Sequence, residues 1–247
     1  MAVATPYILE ISVDTLGRAL AAERGGAHRI ELCSELSRGG LTPNAELLRS
    51  VREMVRIPIF AMIRPRAGDF AYSDAEHAAM QREIEVAKRL GADGLVLGIL
   101  RRNGHVDIER TQQLAELGRP LPVTFHRAID VSADIHKSLE EVTQSGAVRV
   151  LSSGGAATAA EGAACLAELV RAASGRIVVM PGCGITSSNL AQIAKSTGAS
   201  EFHAGLSSVA IAAGLDEQKF EQEVRKLVRE LGVSGSSRAM QSGTDLE

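Results

Sequence analysis

Polar side chains recur in pairs at the ends of short apolar segments, and their types could support acid–base chemistry. The two residues of each pair are separated by one position, so in a β-strand both would point to the same face of the sheet. The pairs are Glu10 with Ser12, Glu31 with Cys33, Met62 with Arg64, Thr124 with His126, and Glu201 with His203. The intervening residues, such as Ile11, Leu32 and Phe125, are apolar. The pattern predicts that carboxylates, imidazoles and a guanidinium converge on one interior.

These converging groups predict a catalytic set that consists of Glu10, Glu31, Arg64, His126 and His203. Histidine titrates near neutral pH, so we expect His126 or His203 to act as general acid or base. Glu10 or Glu31 would orient that histidine or accept a proton. Buried charges are costly unless they are paired. We therefore expect the glutamates, including Glu201, to pair with Arg64 and the histidines, and the alternative is that they form a purely structural ion network.

A second group of residues predicts a site for an anionic ligand. It comprises Arg66, Asp69, Arg127, Gly154, Gly155, Gly182 and Gly184. Arginine forks match the geometry of carboxylate and phosphate groups. The turns SSGG (152–155) and PGCGI (181–185) each join a strand to a helix, where backbone N–H groups can face an anion. The alternative is that these glycines serve tight turns alone.

Sulfur-containing residues suggest a third kind of site, for a soft metal ion. Cys33 and Cys183 both follow apolar runs, and thiolate, thioether and imidazole ligands suit Cu(I). No two sulfur residues have a recognised metal-ligand spacing, and a single cysteine is often a small buried hydrophobe. Cys165 lies among alanines in a predicted helix, and we expect it to serve packing.

A repeated Gly-Ala doublet indicates how these residues are positioned. It occurs at 26–27, 91–92, 146–147 and 198–199, each time between a helical stretch and an apolar run. Glycine adopts the left-handed conformation that ends a helix, so each doublet predicts a turn into a strand. Together with four further apolar runs this makes eight strands alternating with helices. We therefore predict an α/β fold, a single TIM-type (βα)8 barrel of parallel strands, with its chemistry at their C-terminal ends. The alternative, a doubly wound sheet, would normally carry a GxGxxG fingerprint, which is absent.

The apolar periodicity also predicts where the elements lie. The strands are predicted at 7–13, 28–33, 58–63, 94–99, 122–126, 148–152, 176–181 and 200–203. The helices are predicted at 15–24, 44–55, 73–90, 107–117, 132–145, 158–173, 187–196 and 216–231. The last helix is predicted to end at Gly232. We therefore expect the barrel to occupy residues 1–232, and residues 233–247, rich in serine and glycine, to form a disordered C-terminal tail.

Composition and charge exclude several classes of function. The 247-residue chain has a formal net charge of -3, no tryptophan and 3% aromatic residues, which argues against nucleic acid as a partner. No apolar stretch reaches about 18 residues and the first residues lack a signal-peptide pattern, so we expect no membrane partner. Three cysteines without a CxxC motif argue against a disulfide framework and favour the reducing cytoplasm.

Several longer motifs resemble the CutC family, which is named for copper homeostasis. They are ERGGAHRIELCSELSRGGLTP (23–43), MIRPRAGDFAYSD (62–74), GADGLVLGIL (91–100), TFHRAID (124–130), RVLSSGG (149–155), RIVVMPGCGI (176–185) and EFHAG (201–205). They occur in the family's order and cover about residues 7–231. The resemblance implies a TIM-type barrel, a cytoplasmic location, a homo-oligomer (a dimer or a tetramer) and a proposed role in copper handling.

The resemblance also implies a copper position, and the chain departs from the family's pattern at two places. Carried over by residue, the Cu(I) ligand is Cys33 in IELC. Some members have a second cysteine on the first strand, where this chain has Ser12. After EFH the family usually continues with two small residues and an arginine, and Ser207 stands where that arginine is expected.

Three hypotheses about function follow. The first is a cytoplasmic protein of copper homeostasis that binds Cu(I) at Cys33. The second is an enzyme that acts on a small anionic or phosphorylated metabolite, with Arg64 and Arg66 orienting the anion and the PGCGI turn holding a phosphate. The third is an oligomeric scaffold without catalysis.

Overall fold

Eight parallel strands form the centre of the molecule. The computed structural model describes residues 7–206 and 216–241. The strands are β1 Ile8–Val13, β2 Arg29–Leu32, β3 Ile59–Met62, β4 Gly94–Leu97, β5 Val123–Phe125, β6 Arg149–Ser152, β7 Val178–Pro181 and β8 Glu201–Ala204. Their order is β7-β6-β5-β4-β3-β2-β1-β8. A parallel bridge between Gly182 and His203 joins the two edges, so the sheet closes into the predicted barrel.

Helices alternate with these strands along the chain and cover the outside of the barrel. They are α1 Leu16–Gly25, α2 Ala45–Met54, α3 Asp74–Arg89, α4 Ile108–Gly118, α5 Ile135–Gln144, α6 Ala163–Ala173, α7 Leu190–Thr197 and α8 Glu217–Gln241. Helix α3 begins with a capping box in which Ser73 and Glu76 each bond the other's backbone. Two short 3₁₀ helices, Leu36–Arg38 and Arg127–Val131, lie in the loops after β2 and β5.

The four Gly-Ala doublets make the turns that the sequence predicts. Gly26, Gly91, Gly146 and Gly198 have φ angles of 91°, 85°, 85° and 70°, all in the left-handed region. Each chain segment turns there from a helix into the next strand. The doublets therefore position β2, β4, β6 and β8.

The apolar core has two parts. The larger part lies between the strands and the helices and includes Leu9, Ile11, Ile30 and Phe125. The smaller part is a separate cluster of Cys33, Phe60, Met62 and Val96, with Leu36 packed against it. These four residues lie on the face of the sheet that carries the paired polar residues and points into the barrel. The barrel interior is therefore partly apolar.

Each helix overlaps its predicted range, and two helices differ most from their predicted bounds. Helix α6 begins at Ala163 instead of 158, and the residue before it, Gly162, packs so closely on the backbone of Ser153 that a Cβ there would lie 1.8 Å from its oxygen. Helix α8 continues past Gly232 to Gln241. A glycine inside a helix costs about 1 kcal/mol relative to alanine and does not have to end it. The tail predicted to start at 233 is therefore helical up to Gln241, and 242–247 lie outside the described residues.

Within the described ranges, none of the helices combines the length and the apolar character that a membrane crossing requires.

Candidate functional site at the mouth of the barrel

A cavity opens where the C-terminal ends of the strands meet, at the end of the barrel that the sequence predicts for chemistry. We call it the mouth cavity, and its volume is about 340 Å³. Its lining consists of Ser12, Glu31, Leu36, Arg38, Gly39, Met62, Arg64, Phe70, His126, Arg127, Leu151, Cys183, Gly184, His203 and Gly205. Four of the five predicted catalytic residues line it, and the fifth, Glu10, lies directly behind His203.

An interior ion network lies beneath the cavity and consists of Glu10, Arg29, Arg149 and Glu201. The Arg29 guanidinium is 2.5 Å from Glu10 Oε2 and 2.9 Å from Glu201 Oε2. Arg149 Nε is 2.5 Å from the same Glu201 oxygen. Both guanidinium groups lie over the ring of Phe60. Each charge in this network has a partner of opposite sign, which fits a structural role for Glu10 and Glu201.

Arg64 does not pair with the glutamates, which corrects the pairing that the sequence analysis predicted. Its Nη1 donates to the carbonyl oxygens of Arg38, Gly39 and Gly40 at 3.1–3.3 Å, and its Nη2 donates to Gly68 O. Its Nε is buried without a hydrogen-bond partner. Among the residues that the structure describes, no carboxylate lies within 4 Å of this guanidinium. Arg64 is 6% exposed, so its positive charge is buried at the mouth cavity with carbonyl oxygens and the Phe70 ring, but no described carboxylate, around it.

Glu31 and His203 form a second polar pair in the cavity wall. His203 Nδ1 lies 2.7 Å from Glu10 Oε1 and 3.9 Å from Glu31 Oε2. Burial raises the pKa of Glu31 to about 7, and the charge of Glu10 adds to that effect. Burial disfavours the charged form of His203, but the carboxylates of Glu31 and Glu10 raise its pKa overall. Glu31 lines the cavity, and its buried Oε2 has no hydrogen-bond partner among the described residues, so the protein leaves this carboxyl group with capacity to hold a proton.

Glu10 differs from Glu31 although both carboxylates are buried. Burial alone would favour its neutral form, yet the charge of Arg29 and the hydrogen bond with His203 lower the pKa of Glu10 to about 2. Glu10 therefore stays ionised, with its Oε1 2.7 Å from His203 Nδ1.

His126 lies in the wall of the cavity as a neutral imidazole. Burial, reinforced by the charge of Arg64, lowers the pKa of His126 to about 3. Its Nδ1 accepts a hydrogen bond from the Ala128 N–H at 3.2 Å. The ring lies 4.9 Å from the ring of Phe70. These properties argue against His126 as a general base at neutral pH, which leaves His203 and Glu31 for proton transfer.

The predicted anion site in the SSGG turn is occupied by a carboxylate of the protein itself. Asp130 accepts hydrogen bonds from the Ser153 and Gly155 amides at 3.0–3.2 Å and from the Ser152 hydroxyl at 2.6 Å. The Gly154 amide donates to Ser152 Oγ. Gly154 and Gly155 are therefore removed from the set of ligand-binding groups.

Asp130 also holds Arg127 at the edge of the cavity. Arg127 Nε donates to Asp130 Oδ2 at 2.9 Å, and Nη2 donates to Ser153 Oγ at 3.2 Å. Nη1 has no partner within the described part of the chain. Arg127 can thus still meet an anion, as predicted, although the SSGG turn cannot.

Arg66 and Asp69 do not line the mouth cavity, which corrects their predicted role. The Arg66 guanidinium is bonded to Glu76, to Asp69 and to the carbonyl oxygens of Ala67, Asp69 and Ala71. It therefore holds the loop between β3 and α3 together. The two residues line a different groove, on the other side of Phe70.

The turn PGCGI (181–185) contributes to the wall of the mouth cavity on the side opposite Arg64. Gly182 donates its amide to Ser152 O and pairs with His203, so it closes the sheet and does not line the cavity. Cys183 and Gly184 do line it, with φ angles of 77° and 69°. Gly184 is therefore the glycine of this turn that remains available for ligand contact.

The two predicted sulfur ligands lie in different environments. Cys33 is fully buried, outside the cavity lining, and its Sγ donates to Val13 O at 3.6 Å. Burial raises the pKa of the Cys33 thiol well above its usual range. A Cβ at Gly40 would lie 3.3 Å from Cys33 Sγ and 3.6 Å from Met62 Cε, and the two side chains belong to one buried cluster. Cys183 Sγ donates instead to Ala157 O.

The described part of the chain brings one group of potential metal ligands together, namely Glu10, Glu31 and His203, with ligand atoms within 4.8 Å of one another. Neither Cys33 nor Cys183 belongs to it. Both oxygens of Glu10 are already bonded, one to Arg29 and one to His203. A cation here would have to replace native contacts, so the group is better suited to holding protons.

Sequence reasoning missed three contributors, namely Arg29, Arg149 and Phe70. Arg29 lies two positions before Glu31 on β2, so strand alternation alone places it on the same face. The chemistry of this fold is expected at the C-terminal ends of the strands, whereas Arg29 and Arg149 are the first residues of theirs. Phe70 lies in a loop without periodicity, and no pattern in the sequence could have placed its ring between Arg64 and His126.

Comparisons with known proteins agree with this architecture. A family model described as the CutC family matches residues 7–208. The chain is 46% identical over 238 residues to a Homo sapiens protein named copper homeostasis protein cutC homolog, covering 92% of this chain and 87% of the relative. It is 49% identical to a CutC family protein of Xanthomonas axonopodis pv. citri, over 83% and 85% of the two chains.

Solved structures give the same result at the level of the fold. The crystal structure of a putative copper homeostasis protein CutC from Streptococcus agalactiae superposes with a TM-score of 0.76 and 33% identity, covering 80% of this chain and 98% of that one. A thiamine phosphate pyrophosphorylase from Pyrococcus furiosus has a TM-score of 0.63 at 16% identity, over 93% and 98% of the two chains, and supports the fold alone. The chain belongs to the CutC family.

Proposed function

We propose that the mouth cavity binds a small organic anion, a carboxylate or a phosphate ester, and transfers a proton to or from it. The observation that carries this proposal is Arg64. A buried cation without an ionised partner is unfavourable, and Arg64 carries its charge at the cavity wall with one N–H still unpartnered. A bound anion would supply the missing negative charge.

The proton-transfer part of the proposal depends on Glu31 and His203. The pKa of Glu31 is raised to about 7, so near neutral pH this carboxyl is present in both protonation states. A general acid or base works best when its pKa lies near the operating pH. Glu10 stays ionised behind His203 and fixes the orientation of the imidazole. Glu31 is thus the proposed acid–base group and Glu10 a positioning residue.

Anion binding is tested with thermal-shift measurements on inorganic phosphate and a panel of small phosphorylated and carboxylate metabolites. A ligand that binds the folded state alone raises its apparent stability, by about 2.7 kcal/mol at a concentration of 100 Kd. We expect Arg64→Met to lose the shift, because a charged hydrogen bond contributes about 1.5–3 kcal/mol.

Arg66→Met is the matched control for this experiment. It removes a guanidinium from the same loop that also bonds several carbonyl oxygens, yet it does not line the mouth cavity. We expect it to keep the ligand-induced shift even if its own stability falls. Equal shifts for the wild type and Arg64→Met, or no shift with any probe, would remove the proposal and favour an oligomeric scaffold.

A second candidate function is Cu(I) binding within a role in copper homeostasis, as the names of the relatives suggest. The observation that favours it is the neighbouring pair of Cys33 and Met62. Thiolate and thioether are ligands that Cu(I) prefers. The buried thiol would have to release its proton to solvent as the ion binds to the sulfur. The three cysteines are all free, which is consistent with the proposed location in the reducing cytoplasm.

Copper binding is tested by anaerobic Cu(I) titration against a competing chelator. We expect Cys33→Ser and Met62→Leu each to weaken binding, and Cys165→Ser, on the outer helix α6, to leave it unchanged. An affinity that is the same in the wild type and Cys33→Ser would remove Cys33 as a ligand.

A further inference from the structure

His126 is a hydrogen-bond donor that has no acceptor among the residues that the structure describes. Its Nδ1 accepts the Ala128 N–H, so a neutral ring must carry its proton on Nε2. That Nε2 is buried and unpartnered within the described residues, and the side chain lines the mouth cavity. The residue is 4% exposed, so water in bulk solvent does not satisfy the donor.

The surroundings hold the ring in this state and position. A Cβ at Gly98 would lie 2.6 Å from His126 Nδ1, so β4 leaves room for the ring only because a glycine stands there. The ring of Phe70 packs on the imidazole with 4.9 Å between the two ring centroids. The Arg64 guanidinium lies over the same Phe70 ring, 5.0 Å from its centroid. A positive neighbour disfavours a second proton on the imidazole.

A neutral, buried N–H donor is suited to an oxygen on which negative charge develops during a reaction. The cavity also contains Glu31, whose Oε2 is an acceptor without a donor. A ligand that satisfies both groups needs a carbonyl oxygen for His126 and an acidic C–H or O–H beside it for Glu31. Its anionic group would satisfy Arg64.

We propose that His126 Nε2–H donates to the carbonyl oxygen of a small anionic α-hydroxy-carbonyl or α-keto compound, and that the site enolises this compound. This inference rests on the proposed function and names its substrate class. The C–H bond next to the carbonyl breaks, its proton moves to Glu31, and the electron pair forms the C=C bond of an enolate. The negative charge on the oxygen is stabilised by His126, and return of the proton to carbon completes the cycle without any oxidant or cofactor.

Two matched pairs of probes test this inference. Dihydroxyacetone phosphate and glycerol 3-phosphate differ in the carbonyl, as do pyruvate and lactate. We expect the carbonyl member of at least one pair to bind three- to tenfold more tightly, and its C–H adjacent to the carbonyl to exchange with D₂O faster in the presence of protein. His126→Phe should abolish both the preference and the exchange, whereas binding of the carbonyl-free member should persist.

Further variants separate the role of the donor from a structural role. His126→Gln keeps an N–H donor and should recover part of the preference. Gly98→Ala leaves His126 in the sequence but displaces its ring, and should lose the preference in the same way as His126→Phe. His136→Phe, at an exposed histidine on α5, should change nothing.

The tautomer provides a readout that does not depend on a ligand. Nitrogen-15 NMR of the ligand-free protein at pH 7 should give a neutral Nε2–H imidazole for the signal that disappears in His126→Phe. An Nδ1–H tautomer, or equal affinity for both members of each pair, would overturn the inference while anion binding by Arg64 still stands. Failure of these four probes and of the whole anion panel to bind would overturn the proposed function as well.

Discussion

The interior ion network and the mouth cavity contain the same kinds of side chain but satisfy them differently. In the network, Arg29 and Arg149 reach the carboxylates of Glu10 and Glu201 at 2.5–2.9 Å. In the cavity wall a few ångströms away, Arg64 bonds carbonyl oxygens alone and Glu31 keeps an unpartnered oxygen. Charged residues in a barrel are therefore not evidence of function by themselves. The unmet hydrogen-bonding capacity of the cavity wall is what distinguishes it.

The largest effect on stability is expected from disrupting the interior ion network. Arg29→Met leaves Glu10 without a guanidinium partner and removes one of the two partners of Glu201. Removing one member of a buried ion pair typically costs about 3–5 kcal/mol, because the remaining charge is buried alone. We expect this loss in the free energy of unfolding, measured by urea denaturation at pH 7.

The matched control for this variant is Arg24→Met. Arg24 pairs with Glu221 on the surface, 2.8 Å away, and exposed pairs contribute little to stability. If Arg29→Met behaved like Arg24→Met, the interior network would not be structural, and the contrast between the two regions would disappear.

A smaller effect on stability, of opposite sign, is expected from a substitution of Glu31 in the wall of the mouth cavity. Glu31 has a folded-state pKa of about 7 against 4.5 in the unfolded chain. Between these values the folded state binds more protons than the unfolded state, so stability falls as the pH rises from about 4.5 to 7. Glu31→Gln removes this cost. We expect its free energy of unfolding to exceed that of the wild type by about 1–3 kcal/mol at pH 8, since each pKa unit corresponds to 1.36 kcal/mol.

The charged groups that face Glu31 define the control for this pH experiment. They are Glu10, His203 and Arg29. Glu10 has its pKa lowered to about 2, so its contribution is present above pH 4.5 and is lost as the pH falls toward 2. Glu10→Gln should therefore destabilise the protein at pH 8, where Glu31→Gln stabilises it. Two variants that change stability in the same direction would contradict the distinction between them.

The sequence alone was sufficient for the barrel, because the information lies in local patterns. Each predicted strand overlaps an observed one, and the doublet glycines have the positive φ that the helix ends require. Strand alternation also brought Glu31, Arg64, His126 and His203 to one cavity. These residues lie at the ends of strands, where a period of two decides which face a side chain occupies.

The partners of those residues could not be predicted, because they depend on loops. Nothing in the sequence indicates that Asp130 occupies the SSGG turn or that Arg66 is bonded within its own loop. Nor does a pattern reveal that Arg64 bonds carbonyl oxygens. Whether a polar group has a hydrogen-bond partner depends on the tertiary structure. That same property separates a structural charge from a functional one.

The smallest effect is expected in a labelling experiment that needs no substitution. Iodoacetamide reacts with thiolates, so both exposure and pKa control its rate. Cys183 lines the mouth cavity, whereas Cys33 is fully buried and its pKa is raised by burial. We expect mass spectrometry after alkylation at pH 8 to find Cys183 modified first and Cys33 unmodified in the native protein.

A ligand in the cavity should protect Cys183 without affecting Cys165, which lies on the outer helix α6 and serves as an internal reference. Protection by any anion that gives a thermal shift would link that anion to the cavity wall, since Cys183 contacts it and Arg64 faces it from the other side. Rapid alkylation of Cys33 would instead mean that the barrel interior opens on the timescale of labelling. In that case the unpartnered groups at the mouth would be solvated in solution, and the physical argument for an anionic ligand would lose its basis.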